Sequence, residues 1–321
     1  MNARPRAVFG LPAYDRPDSL AETLESILGQ TCDDFALVIC DDSTSDATAA
    51  LVAPYAAADR RIVYERNPRR LGMIDNWRRC FERANALFPD AEYFAWASDH
   101  DVWHPRWLEV LVGELDEHPE IVLAYPQTLR TFAHARPVVN RPFDTRGLTG
   151  PADRLRAASL RMMAGNLIYG LFRRQALADA GVFARVLVPD RQVLLELSLL
   201  GEFSQLPELL WYREIAVGFS LDRQRTALFA DGAPLYTYLP TDVTHAALLF
   251  WNLAVGRRVR RVGVPAAFGY AVLQLWTSFL RDARVVIKHA FEDRLGWVSR
   301  ERDALDDSQD ELGMPSGHTG R

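Results

Sequence analysis

What most constrains this chain is how its first half distributes apolar residues: short continuous apolar runs alternate with longer amphipathic ones, and each apolar run stops at a polar cluster. Arg6 to Leu11 predicts a strand that ends at Pro12-Ala13-Tyr14-Asp15-Arg16-Pro17, a segment that prolongs neither strand nor helix. A helix follows, with Ser19 and Glu22 at capping-box spacing, Leu20, Leu24, Ile27 and Leu28 on one face, and Gly29 at its end. Phe35 to Cys40 is apolar throughout, as a strand covered on both faces has to be, and runs into Asp41-Asp42-Ser43-Thr44-Ser45-Asp46. A helix at about Thr44 to Ala58, a strand at Ile62 to Tyr64, a helix at Asp75 to Leu87 and a strand at Tyr93 to Trp96 continue the alternation. Then come Ser98-Asp99-His100-Asp101, a helix opened by Pro105 and a strand at Ile121 to Tyr125. Such repetition builds an α/β fold with a mostly parallel sheet flanked by helices, whose ligands bind outside the carboxyl ends of the strands. All three polar clusters fall there.

The clusters limit the chemistry. Asp and Asn after strands commonly make turns and caps, so a lone Asp-Asp pair says little; three clusters at equivalent strand ends say more. Asp99 and Asp101 put two carboxylates on one turn, which suits an oxygen-loving divalent cation that keeps waters and bridges substrate phosphates. His100 between them is a turn residue or a ligand for a softer ion. No glycine-rich phosphate loop follows the first strand, so dehydrogenase and P-loop readings lose their main support. A formal charge of -5 and a pI near 5.8 argue against a nucleic-acid partner. The three cysteines (Cys32, Cys40, Cys80) form no metal or disulfide pattern, and the apolar stretch near the N-terminus is too short for a secretory signal, so a cytoplasmic protein is expected.

The ordered set of motifs resembles the family-2 glycosyltransferases, inverting enzymes of the GT-A (Rossmann-like) fold that use nucleotide-diphosphate sugars. The resemblance is carried by the segment at Pro12 to Pro17, by Ser26-Ile27-Leu28-Gly29-Gln30-Thr31, by Val38 to Asp46, by Asn67 with Leu71-Gly72 and Asn76, and by Trp96 to Trp103 with Pro105. Tyr169 to Arg174, Pro189-Asp190-Arg191 and Gly201-Glu202-Phe203 with Leu206-Pro207-Glu208 extend it to about residues 6–215. It implies that Pro12, Ala13 and Tyr14 line the nucleotide base, that Asp42 accepts a hydrogen bond from uracil or thymine, and that Arg70 and Asn76 approach the ribose or diphosphate. It further implies that Asp99 and Asp101 hold Mg or Mn, with Asp99 also at the nucleotide sugar, and that Asp190 is the catalytic base. Two departures stand out: His100 separates the acidic pair, and Tyr212-Arg213 is followed by Glu214 where relatives often carry a His, a place that Arg213 or Glu214 would fill. Pro189-Asp190 before Val193, Leu194 and Leu197 is also simply a good helix start.

Inverting transfer is one in-line displacement, so it needs one base for the acceptor hydroxyl and positive charge for the departing diphosphate, and no second carboxylate as nucleophile. The expected acceptor is a glycan or lipid-linked molecule of cell-surface polysaccharide synthesis. The alternatives are a non-catalytic glycan- or nucleotide-binding protein on the same fold and, on weaker grounds, a sugar-phosphate nucleotidyltransferase, whose glycine-rich loop is missing.

The organisation expected is a GT-A domain at 1–240, with a nucleotide-sugar half at about 1–126 and an acceptor half at about 127–240, then a helical extension at 241–300 and an acidic, disordered tail at 301–321. Between Thr128 and Arg161 periodicity fades, which predicts a long loop shaping the acceptor site, with Arg141 and Arg146 as phosphate contacts. From Arg257 to Arg300 nine basic residues face three acidic ones, a local balance of +6 in an acidic chain. There Phe268, Val272, Leu275, Phe279, Val286 and Ala290 share one helical face, and Gln274, Thr277, Arg281, Arg284 and Lys288 another. That pattern suits a helix lying on an anionic membrane surface, which would make the protein peripheral on the inner face of the membrane; packing in the core or against a second copy gives the same pattern, and Val262 to Leu280 is also long enough to span.

Overall fold

A computed structural model describes residues 4–132, 137–215, 220–229, 232–256 and 262–295; the expected tail at 301–321 lies outside them. The elements run β1 (Ala7–Ala13), α1 (Pro17–Leu28), β2 (Phe35–Asp41), α2 (Ala47–Ala58), β3 (Ile62–Arg66), α3 (Met73–Leu87), β4 (Tyr93–Trp96), β5 (Val102–Trp103) and α4 (Trp107–Glu117). They continue with β6 (Ile121–Phe132), β7 (Val138–Val139), α5 (Pro151–Arg161), α6 (Ala164–Leu167), β8 (Leu171–Arg173), α7 (Arg174–Ala180), α8 (Pro189–Ser198) and β9 (Glu202–Ile215). The chain closes with α9 (Leu221–Leu228), a 3-10 turn at Leu235–Tyr238, α10 (Thr241–Ala254) and α11 (Val264–Leu295).

One sheet in the order β3-β2-β1-β4-β8-β6-β9-β5 organises the molecule, with β7 paired to β6. The β3-β2-β1-β4 half is wholly parallel. In the other half the long β6/β9 ladder is parallel, and the antiparallel ladders at β8, β7 and β5 are two residue pairs each. All seven residues of β1 and of β2 are buried, which is why their sequences are continuous rather than alternating. One core layer packs under α1 and α4 with Phe9, Leu24 and Trp107, and the other under α3, α5 and α8 with Phe94, Trp96 and Leu194. Gly10 lets α3 and the Phe94 ring approach β1 closely: a Cβ there would lie 2.7 Å from the Phe94 ring and 2.9 Å from Cys80.

Two local expectations are corrected. The capping box at Ser19 does not form, because α1 already begins at Pro17 and the Ser19 hydroxyl donates instead to the Asp99 carbonyl at 2.9 Å. The loop predicted after Thr128 is shorter than expected: β6 runs on to Phe132 and Pro151 sits in the first turn of α5, where a missing N–H costs nothing, which leaves residues 140–150 without regular structure.

The C-terminal helices bring the larger surprise. The amphipathic pattern of α11 is real, but its polar side faces the protein. Gln274, Thr277, Ser278 and Arg281 are buried with Ala267 and Ala271, while Phe268, Val272, Leu275, Trp276, Phe279, Val286 and Ile287 are exposed, Phe268 by 62%. Apart from Gln274 Oε1, which has no hydrogen-bond partner, the buried side is bonded within the protein. Ser159 of α5 bonds the Ser278 hydroxyl at 3.1 Å, Gln274 Nε2 donates to the same hydroxyl at 3.0 Å, and Arg281 pairs with Asp242 at 3.0 Å and Asp282 at 2.7 Å. Among the described residues no helix is long and apolar enough to cross a membrane.

Candidate active site

At the carboxyl ends of β1 and β2 the Asp42 carboxylate is a hub. Its Oδ1 accepts from Asn67 Nδ2 (2.9 Å) and the Leu71 N–H (2.7 Å), and its Oδ2 from the Gly72 N–H (2.8 Å). Gly72 sits at φ +80, a conformation that favours glycine, and this turns its N–H toward the carboxylate. Asn76, predicted to approach the ligand, is instead buried support: its amide oxygen takes the other Asn67 proton and its Nδ2 donates to the Cys40 carbonyl. The ordered loop borders a cavity of about 380 Å³ lined by Asp42, Ser43, Asn67, Arg66, Arg69 and Arg70. At its side Tyr14 is 39% exposed, with the Arg70 guanidinium 4.8 Å above its ring. Pro12 and Ala13 are the buried end of β1 beneath them.

The Tyr14 N–H donates to Asp99 Oδ2 at 3.1 Å, so the slot and the acidic turn share a bond. Asp99 Oδ1 lies 2.8 Å from His100 Nδ1, and Asp101 accepts from the Ser98 hydroxyl at 2.5 Å. Asp99 is 7% and Asp101 1% exposed. Two such carboxylates are hard oxygen donors that fit Mg or Mn with substrate phosphates completing the shell; among the described residues no group of three or more His, Cys, Asp and Glu gathers as a self-sufficient cage. His100 is thus held as the partner of Asp99.

Asp190 is placed by burial. In α8 every residue except Asp190 is buried, and Asp190 borders a second cavity of about 390 Å³. Val188, just before the helix, adopts φ +49, and the loop is fastened by Gln224 accepting from its N–H (2.8 Å) and by His245 Nε2 at 2.8 Å from the Leu187 carbonyl. Burial is the main cause that pulls His245 down to about 4 and Arg191 down to about 9, with Arg281 pushing Arg191 in the same direction. Tyr169 is on the cavity wall: burial pushes its phenol up, Arg213 opposes this, and the charges of Asp101, Asp99 and Asp190 add to it. Arg213 is oriented by Asn166 (3.1 Å) and lies over the rings of Tyr169 and Trp211. The Glu214 side chain lies outside the described residues. Arg141 borders the Asp190 cavity as expected, whereas Arg146 does not and pairs with Glu114.

Tyr169 was within reach of sequence reasoning, since it opens one of the motif segments. Arg191, Arg281 and His245 were not: two follow from packing, and Arg281 carried the signature of a surface charge.

Comparison with known proteins agrees. The sequence model described as Glycosyl transferase family 2 matches residues 9–166, which include Asp42, Asp99 and Asp101 and stop short of Asp190. The putative glycosyltransferase EpsE of Bacillus subtilis (strain 168) is 31% identical over 121 residues, 37% of this chain and 41% of that protein. The match thus spans less than half the length of the curated relatives. Among solved structures, S. aureus TarS 1-349 in complex with UDP superposes with a TM-score of 0.54 at 15% identity, covering 92% of this chain and 93% of that one. Mannosyltransferase PcManGT from Pyrobaculum calidifontis, in complex with GDP-Man and Mn2+, does so with 0.52 at 16% identity, covering 96% and 85%. Sequence match and shared architecture converge: residues 9–166 belong to glycosyltransferase family 2, and the chain has the GT-A fold.

Proposed function

We propose that the protein is an inverting glycosyltransferase that moves a sugar from UDP or dTDP onto a hydroxyl of a glycan or lipid-linked acceptor in cell-surface polysaccharide synthesis. The observation that carries this is the placement of Asp190, the one accessible residue of a buried helix, in a cavity whose wall residue Tyr169 also senses Asp99 and Asp101. The base lies in the cavity beside the stacked Tyr14 and Arg70, and Asp42 Oδ2, which accepts one internal bond, offers its other lone pair to the imide N–H of uracil or thymine. Asp99 and Asp101 would hold Mg or Mn, which would supply positive charge for the leaving diphosphate.

The Asp190 carboxylate takes the proton of the acceptor hydroxyl as its oxygen attacks the anomeric carbon from the face opposite the diphosphate. The C–O bond to the acceptor forms while the bond to the diphosphate breaks, and the anomeric configuration inverts. Arg213, fixed by Asn166, adds charge beside the departing group. Asp190→Asn should lower transfer about 100- to 10,000-fold with nucleotide-sugar affinity retained; unchanged transfer removes Asp190 from the role. UDP binding without transfer to any acceptor by the wild type supports the binding-protein alternative.

The exposed apolar face of α11 is proposed as a contact with an anionic membrane surface. Phe268, Trp276 and Phe279 project there, Arg284 is exposed farther along, and in sequence Arg257, Arg258, Arg260 and Arg261 precede the helix. Apolar side chains bracketed by basic ones match an anionic interface better than they match a second, equally basic copy.

A further inference from the structure

The cavity beside Asp190 has a composition that the donor does not explain. Its wall carries five guanidinium groups, Arg141, Arg161, Arg191, Arg213 and Arg281, and one carboxylate, that of Asp190. They come from separated parts of the fold: the segment after β7, the last turn of α5, the first turn of α8, the end of β9 and the middle of α11. Arg191 and Arg281 form the floor. Both donate to the Ser159 carbonyl, at 2.7 and 3.4 Å, and the buried Arg191 Nε has no hydrogen-bond partner. Arg141 and Arg161 are exposed at the mouth, the latter over the Phe143 ring. The rest of the wall is apolar, with Trp77, Met162, Ile168, Phe183 and Val285 among it.

In-line displacement decides which substrate meets these groups. Attacking hydroxyl and leaving diphosphate lie on opposite faces of the anomeric carbon, so residues lining the cavity of the base meet the acceptor. Arg213, whose guanidinium lies 5.9 Å from the centre of the Tyr169 ring, is the one assigned above to the departing group; the other four arginines are left to the acceptor side. We propose that this cavity binds an acceptor bearing a phosphate ester close to the hydroxyl that is glycosylated, with Arg141 and Arg161 gripping the phosphate and Arg191 and Arg281 supplying the field beneath it. Planar guanidinium forks pair with phosphate oxygens in two parallel hydrogen bonds. Burial, and after it the charge of Arg281, lowers Arg191 against the opposing pull of Asp242, Asp282 and Asp190, and arriving negative charge favours the same charged form.

This assignment rests on Asp190 as the base, and its phosphate has two sources, a soluble sugar or polyol phosphate or a lipid-linked sugar phosphate. The experiment is calorimetric titration of the full chain, saturated with UDP and Mn, with four probes: glucose, glucose 6-phosphate, octyl glucoside and octyl phosphoglucose. Both phosphate probes should bind at least tenfold more tightly than their uncharged counterparts, and Arg141→Gln/Arg161→Gln should abolish that difference while changing UDP affinity less than twofold. A further gain for the octyl phosphate probe assigns the lipid-linked source, and no gain assigns the soluble one. Equal binding of charged and uncharged probes, or no binding of any of them to a protein that binds UDP, overturns the proposal. Loss of UDP affinity in the double variant overturns it by moving the arginines to the donor. Failure of the wild type to bind UDP at all would instead refute the underlying donor reading.

Discussion

Asp42 shows how a single side chain here serves structure and ligand together: one carboxylate orders the Leu71-Gly72 turn and still borders the base slot. His245 is a support of another kind. It is fully buried, fastens the Leu187 carbonyl two residues before α8, and faces Arg191 and Arg281, which disfavour its protonation, and Asp242, which favours it. Burial holds it near 4 in the fold against 6.5 when unfolded. Between those values the unfolded chain takes up a proton that the fold refuses, so this contribution to stability is complete above pH 6.5 and declines as the pH falls toward 4. Urea unfolding should show a loss of about 1 kcal/mol from this group between pH 7.5 and 5.5, and His245→Gln should flatten that slope; an unchanged slope in the variant argues for another titrating group. The acidic residues of the site were legible in the sequence because strand ends advertise them. His245 was not, since nothing local relates it to Leu187, 58 residues away.

Among elements, α11 separates pattern from orientation. Periodicity showed that it has two faces, and polarity suggested that the charged one met solvent. The fold instead seats Gln274, Ser278 and Arg281 on Ser159 and Asp242, because α5 and α10 present hydroxyl and carboxylate partners to them. The two faces should respond oppositely to substitution. Arg281→Met leaves Asp242 without its buried counter-charge and should cost about 3 kcal/mol in urea unfolding. Phe268→Ser/Phe279→Ser should leave stability nearly unchanged while reducing sedimentation with phosphatidylglycerol vesicles; undiminished sedimentation, or equal binding to neutral phosphatidylcholine vesicles, contradicts the membrane contact. The segment around α5 was missed for a related reason. Fading periodicity puts Pro151 inside a loop, whereas in a first turn a proline begins a helix.

At the scale of the whole molecule, the parallel half of the sheet was readable residue by residue, because strands buried on both faces leave continuous apolar runs. The other half was not, because short antiparallel strands such as β5, β7 and β8 acquire their identity only from the long β6/β9 ladder and its neighbours. The donor site should register in the melting temperature. UDP with Mn at about 100 times its Kd should stabilise the fold by about 2.7 kcal/mol, and Asp99→Ala/Asp101→Ala should abolish the part that depends on Mn. The same shift with and without Mn would detach these carboxylates from the ion. One short bond then has a wider meaning. The Tyr14 N–H that holds Asp99 Oδ2 makes the wall of the base slot and a carboxylate proposed to meet the cation parts of one rigid unit. On the proposed donor reading, nucleotide and cation should therefore bind cooperatively, and by thermodynamic reciprocity the factor by which the ion tightens the nucleotide should equal the factor by which the nucleotide tightens the ion.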